Sequence, residues 1–271
     1  MPLSSILLHA PAEQAGPGHA PSTYAAALAR SRGAALSALV FDLDVTSSGW
    51  RGQDGGGTDI RTRGAAEAAD ALRADLVAAG IDATVVTRHS HAQGVHEVIA
   101  EHARLHDLAV VGCSDDGLLS ERDVAEHLLF ESGRPLILIP GSHRGFAISR
   151  PVVAWDGSRA AARALGDAIS LVRSAEELVL LTFSDDKEIA PTLSASETAE
   201  ALRRRGLTPR LVAAERGRRG IADAISEEAA RLGADLLIMG GYGHSRLREM
   251  ILGGATRAIL GNPPLPTLMS H

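Results

Sequence analysis

From "RPVVAW" (150–155) to "LPTLMS" (265–270), apolar runs alternate with segments whose apolar residues recur every three or four positions. A short apolar run reads as a strand covered on both faces, and the longer periodicity reads as an amphipathic helix. The strand readings are 150–155, "ELVLLTF" (177–183), "PRLVAAE" (209–215), "ADLLIMG" (234–240) and 265–270. Between them lie the helix readings "SRAAARALGDAISLVR" (158–173), "SASETAEALRRRG" (194–206), "GIADAISEEAARLG" (220–233) and "ATRAILG" (255–261). Ser158 is placed as an N-cap, and Gly206 and Gly233 as helix stops.

The first half follows the same order. "SSILLH", "LSALVFDL", "DATVVTR", "LAVVG" and "PLILIP" read as strands. "STYAAALARSRG", "TRGAAEAADALRADLVAAG", "GVHEVIAEHARLHD" and "RDVAEHLLFESG" read as helices. The stretch 94–112 is locally similar to 220–240, and "RPLILIP" to "PLPTLMS". Alternation of this kind implies parallel sheets with helices on both faces, through right-handed crossovers. The chain therefore reads as two tandem, doubly wound α/β domains, 1–143 and 144–271, each a five-stranded parallel sheet of order 3-2-1-4-5. The Gly-rich stretch 47–59 reads as a mobile surface loop rather than a phosphate site.

Composition narrows the picture only slightly. A net charge of -6 and a pI near 6.0 give no footprint for nucleic acid or an anionic membrane. No apolar stretch approaches the roughly 18 residues that cross a bilayer. The first twenty residues lack the basic start and apolar core of a signal peptide. A single cysteine, Cys113, excludes an internal disulfide and fits a reducing, cytoplasmic setting.

Open parallel sheets take ligands beyond the carboxyl ends of their strands. In the second half three segments are expected to gather there: "AWDGS", "LTFSDD" and the glycine-rich stretch after the fourth strand. Asp156 is placed to accept ribose hydroxyls or to close the turn before its helix. Gly240 and Gly243 allow close backbone approach, and Gly253 and Gly254 open a helix whose free N–H groups favour an anion. Two ordinary loop punctuations are the plainer alternative.

In these residues the chain resembles the universal stress protein family in its tandem form. Nucleotide-binding members carry glycine, two residues, glycine, nine residues, glycine, then serine or threonine. Gly240, Gly243 and Gly253 match that spacing, and Asp156 matches the family's first-strand aspartate. Gly254 stands where the hydroxyl residue is expected, with Thr256 two positions later. The resemblance implies ATP, with or without magnesium. Adenine would lie near Thr182 and Phe183, ribose at Asp156, and phosphates at Gly240, Gly243, Gly253, Gly254, Ala255 and Thr256. It also implies a stress-response protein with at most slow ATP hydrolysis, and a pairing of fifth strands met within the chain or in a homodimer.

The first half departs from this pattern. Gly112 remains, no glycine pair follows, Asp115 and Asp116 would repel phosphates, and no aspartate ends the first strand, so this site reads as degenerate. Trp155 reads as a packing residue, and His244, Arg246 and Arg248 as a solvated basic loop. His102 and His106 have a spacing that suits a metal, yet lack neighbouring ligands, so His89, His91, His96, His102 and His106 are expected to hold none. The alternative to a nucleotide-binding protein is an interaction or dimerisation module with both sites vestigial.

Overall fold

A computed structural model describes residues 2–13, 18–46, 59–61, 64–91, 94–115, 119–185, 194–241 and 254–271. The first half runs β1 (Ser5–His9), α1 (Ala20–Arg32), β2 (Ala35–Thr46), β3 (Asp59–Arg61), α2 (Ala65–Ala78), β4 (Ala83–His91), α3 (Val95–Ala103), β5 (Leu108–Val111), α4 (Glu121–Glu131) and β6 (Leu136–Leu138). The second runs β7 (Pro151–Ala154), α5 (Arg159–Val172), β8 (Leu178–Phe183), α6 (Ala195–Arg204), β9 (Pro209–Ala214), α7 (Ile221–Arg231), β10 (Leu236–Gly240), α8 (Gly254–Gly261) and β11 (Thr267–Ser270).

Within each half the parallel strands adopt the expected order, β4-β2-β1-β5-β6 and β9-β8-β7-β10-β11. The central strands are short and almost wholly apolar, as strands covered by helices on both faces must be. The two sheets are not separate. Strand β6 pairs antiparallel with β11 through Leu138 and Thr267, Ile137 and Leu268, and Leu136 and Met269, giving one continuous sheet. The domain pairing thus lies inside the chain. Helices α1, α2, α5 and α6 cover one face around a core that includes Ile6, Tyr24, Leu72, Val153, Leu165 and Leu202. Helices α3, α4, α7 and α8 cover the other, around Ile99, Leu128, Ile225 and Ile259.

Local signals explain the boundaries. Ser158 caps α5 by accepting the Ala161 N–H at 3.1 Å. The left-handed angles of Gly33, Gly80, Gly206 and Gly233 mark turns at helix ends. Two features were not expected. Strand β2 extends to Thr46 and folds back on β3, so residue 59 belongs to a short antiparallel strand rather than a loop; residues 47–58 lie outside the described residues. A repeated aspartate also ties each fourth strand to the first. The Asp107 carboxylate accepts the N–H groups of Ser4 and Ser5 at 2.9 and 3.0 Å. Asp235 accepts those of Ser149 and Arg150 at 2.6 and 2.9 Å. The duplication therefore extends to a shared hydrogen-bonding device.

Candidate functional site

The carboxyl edge of the second half is organised by the turn after β7. Asp156 is half-buried, and its Oδ1 accepts the Ser158 N–H at 2.8 Å, closing the turn that feeds α5. The turn role expected for Asp156 is therefore present. Trp155 packs against the core on the α5 and α6 face. Thr182 and Phe183 end β8 half-buried, with Thr182 Oγ1 at 3.5 Å from the Val212 carbonyl. Just beyond, Asp185 accepts the N–H groups of Arg216 and Gly217 at 2.8 and 2.7 Å, which holds its carboxyl below the usual range. The sequence reading passed over Asp185, because a polar pair after a strand does not reveal which backbone it caps.

Gly240 is dictated by packing. A Cβ there would run into the backbone of Ala160 and Ala161 in the first turn of α5. The glycine lets the end of β10 approach that helix start, which brings Gly240 beside the Asp156 turn. Gly254 opens α8, is exposed and lacks left-handed angles, and among the described residues no atom lies within 4 Å of an added Cβ. Ala255 is half-buried, and Thr256 is buried, about 200° around the helix from Gly254. The expectations for Gly243, Gly253, His244, Arg246, Arg248 and Asp116 fall outside the described residues.

The corresponding edge of the first half is built differently. Leu7 pairs with Ala109 as Val152 pairs with Leu237. This register makes His9 the counterpart of Ala154, Pro11 that of Asp156 and Gly112 that of Gly240. Glu121, the first residue of α4, turns its carboxylate back against Gly112 and takes the space a Cβ there would need. It accepts the Ser114 N–H at 3.1 Å and also the Gly112 N–H. Only 2 % exposed, it is pushed up to about 7 by burial, against the lowering effect of those two N–H groups. His9 Nδ1 lies 4.0 Å away, and burial drives that imidazole down to about 3. Among the described residues, His9 Nδ1 and Nε2 and Glu121 Oε1 have no hydrogen-bond partner. At neutral pH this is a neutral histidine beside a carboxyl near its titration midpoint.

Around this pair, Asp115 accepts the Ser120 hydroxyl at 2.8 Å and pairs with Arg122 at 3.2 Å. Cys113 is half-buried, its Sγ 3.7 Å from the Ile139 carbonyl, and burial raises the thiol. The histidine cluster spreads over different contacts. His102 Nδ1 lies 2.8 Å from the Val98 carbonyl, and His106 Nδ1 2.8 Å from the His102 carbonyl. His96 stacks on His127 with centroids 4.6 Å apart, and His89 faces Asp42 at 3.3 Å. Among the described residues no three metal-ligating side chains gather into a site.

The chain is thus a duplicated, doubly wound α/β protein with a glycine and an aspartate close together at one carboxyl edge. Residues 149–271 match the model of the universal stress protein family. Over the whole chain the fold is shared with a universal stress protein from Archaeoglobus fulgidus DSM 4304, at 20% identity and a TM-score of 0.72, covering 98% of this chain and 95% of that one. It is shared also with a functionally unknown protein from Pseudomonas aeruginosa PAO1, at 18% identity and a TM-score of 0.56, covering 99% and 92%. No curated protein matches the chain. Among the described residues no helix is long and apolar enough to cross a membrane.

Proposed function

We propose that this protein is a cytoplasmic stress-response factor that binds one ATP per chain at the carboxyl edge of its second half. Asp156 serves the ribose, Thr182 and Phe183 border the adenine, and backbone donors from Gly240 through Gly254 receive the phosphates. The observation that carries this reading is the contrast between the two edges. In the first half an internal carboxylate, Glu121, already takes the N–H groups of Gly112 and Ser114 and fills the space over Gly112. Its counterpart in the second half, counting back from the matching prolines Pro135 and Pro266, is the apolar Leu252. A phosphate group entering the first half would meet a carboxyl that is close to ionisation; in the second it meets none from that position.

Calorimetric titration with ATP and magnesium tests this reading, with one site per chain expected. Gly253→Val is expected to remove binding. Gly254→Ser is expected to strengthen it, because position 254 has room for a side chain and ordinary backbone angles. The added hydroxyl would donate to a charged acceptor, worth roughly 1.5–3 kcal/mol, or about tenfold to a hundredfold in affinity. If neither wild type nor Gly254→Ser binds millimolar ATP, the chain is an interaction module with both sites vestigial. Two bound nucleotides would overturn the assignment of the first half.

A further inference from the structure

The antiparallel joint between β6 and β11 relates the halves by an approximate twofold axis, so each half presents α1 or α5 to its neighbour beside that axis. The two grooves so formed are filled differently. Beside α1, Tyr24 is fully buried and meets the linker edge-on, with ring centroids 5.1 Å from Phe146 and 5.7 Å from His143. Burial, and to a lesser degree the charge of Asp235, keeps the Tyr24 phenol protonated. The counterpart of Asp235, Asp107, lines the groove beside α5, where no aromatic ring among the described residues enters. That groove stays open, with a volume near 630 Å³, within the usual range of small-molecule sites.

Its lining is cationic in a chain whose net charge is -6. Arg134 comes from the turn before β6, Arg163 and Arg173 from α5 and its end, and Arg205 from the end of α6. The two carboxylates present are already engaged. Asp107 accepts N–H and hydroxyl groups of Ser4 and Ser5, and Asp167 pairs with Arg163 at 2.9 Å and accepts the Ser270 hydroxyl at 3.0 Å. Among the described residues no carboxylate pairs with Arg173, Arg205 or Arg134; the last donates to the Arg104 carbonyl at 3.1 Å. Gly166 lies on the floor of the groove, on the exposed face of α5, and a Cβ there would meet nothing within 4 Å. A glycine inside a helix costs about 1 kcal/mol relative to alanine, and here no packing contact requires it.

We infer that the arginine-lined groove between the halves is a second ligand site, one that binds a small, multiply charged phosphate-bearing molecule. Guanidinium groups from separate elements suit an anion with several oxygens, because each planar fork takes two oxygens at once. The site is distinct from the carboxyl edge of the second half and shares none of its residues.

Inorganic pyrophosphate is the probe, titrated calorimetrically into the full chain at low salt. Saturable binding is expected. The double substitution Arg173→Ala with Arg205→Ala should weaken it at least tenfold, and Gly166→Tyr, which places a ring in the groove as Tyr24 does in its mate, should abolish it. Gly166 is exposed with free space around it, so the folded chain is expected to survive, which circular dichroism checks. Gly166→Tyr should leave the ATP titration unchanged, and Gly253→Val should leave pyrophosphate binding unchanged, so the two sites fail separately. Absence of pyrophosphate binding, or binding that persists in the folded Gly166→Tyr and double arginine variants, would overturn the inference. Equal affinity for citrate would overturn the assignment to phosphate.

Discussion

Glu121 spends its negative charge inside the protein, and its surroundings set the pH at which that becomes costly. Its folded value near 7 lies above the ordinary value of 4.5. Between these values the unfolded chain releases the proton first, so stability falls as pH rises from about 4.5 through 7. His9 works in the opposite sense: with a folded value near 3 against 6.5, it keeps its full contribution above pH 6.5 and loses it as pH falls toward 3. The two effects oppose each other between about 4.5 and 6.5. Replacing Glu121 by Gln removes the first while an amide oxygen still accepts the Ser114 N–H. The variant should gain on wild type by about 2–3 kcal/mol between pH 5 and pH 8, read from urea unfolding at the two pH values. Parallel profiles for the two proteins would refute the account. None of this was legible in "SERDVAEHLL", because an acidic residue in a first helical turn is ordinarily exposed and stabilised by the helix dipole. By contrast, Gly33, Ser158, Gly206 and Gly233 announced their roles, because a cap is a local property of backbone and side chain.

At the scale of elements, strand and helix identities followed from periodicity, and the boundaries that failed did so for lack of a nearby signal. The β2 and β3 hairpin escaped notice because its return strand is three residues long and follows a glycine tract. Ser194 and Glu197 form a reciprocal capping box at the start of α6, a pattern present in the sequence but read only as the beginning of a helix. The most consequential element is the joint. Ile137 and Leu268 are fully buried and stand opposite each other across it. Leu268→Ala removes a side chain from the seam between the halves and should cost about 2–5 kcal/mol, measured by chemical denaturation. A loss below 0.5 kcal/mol would mean that the seam contributes little to the packed sheet.

For the whole molecule, strand order within each half was readable because a short strand feeding a helix admits few right-handed topologies. Spacing singled out Asp156, Gly240 and Gly254 as candidates, whereas the arginine-lined groove, where distant segments meet, left no signal in the sequence. The core on the α1, α2, α5 and α6 face runs without interruption from one half to the other. Arg32 of α1 crosses the boundary to donate to the Leu171 carbonyl at 2.6 Å and to Ser174 at 3.2 Å. One calorimetric unfolding transition is expected, with van't Hoff and calorimetric enthalpies that agree. Two resolved transitions would show the halves to be independent.

Because β6 and β11 run in opposite directions, the carboxyl edges of the two halves open on opposite sides of the sheet. A change in chemistry at one edge leaves the other untouched, while the seam holding them together lies between the edges and belongs to neither. Duplication in this geometry separates inheritance from use. One copy fills the space over Gly112 with Glu121, beside His9, while the equivalent position in the sequence of the other is Leu252. The constraint both copies still share is the six-residue ladder at the seam.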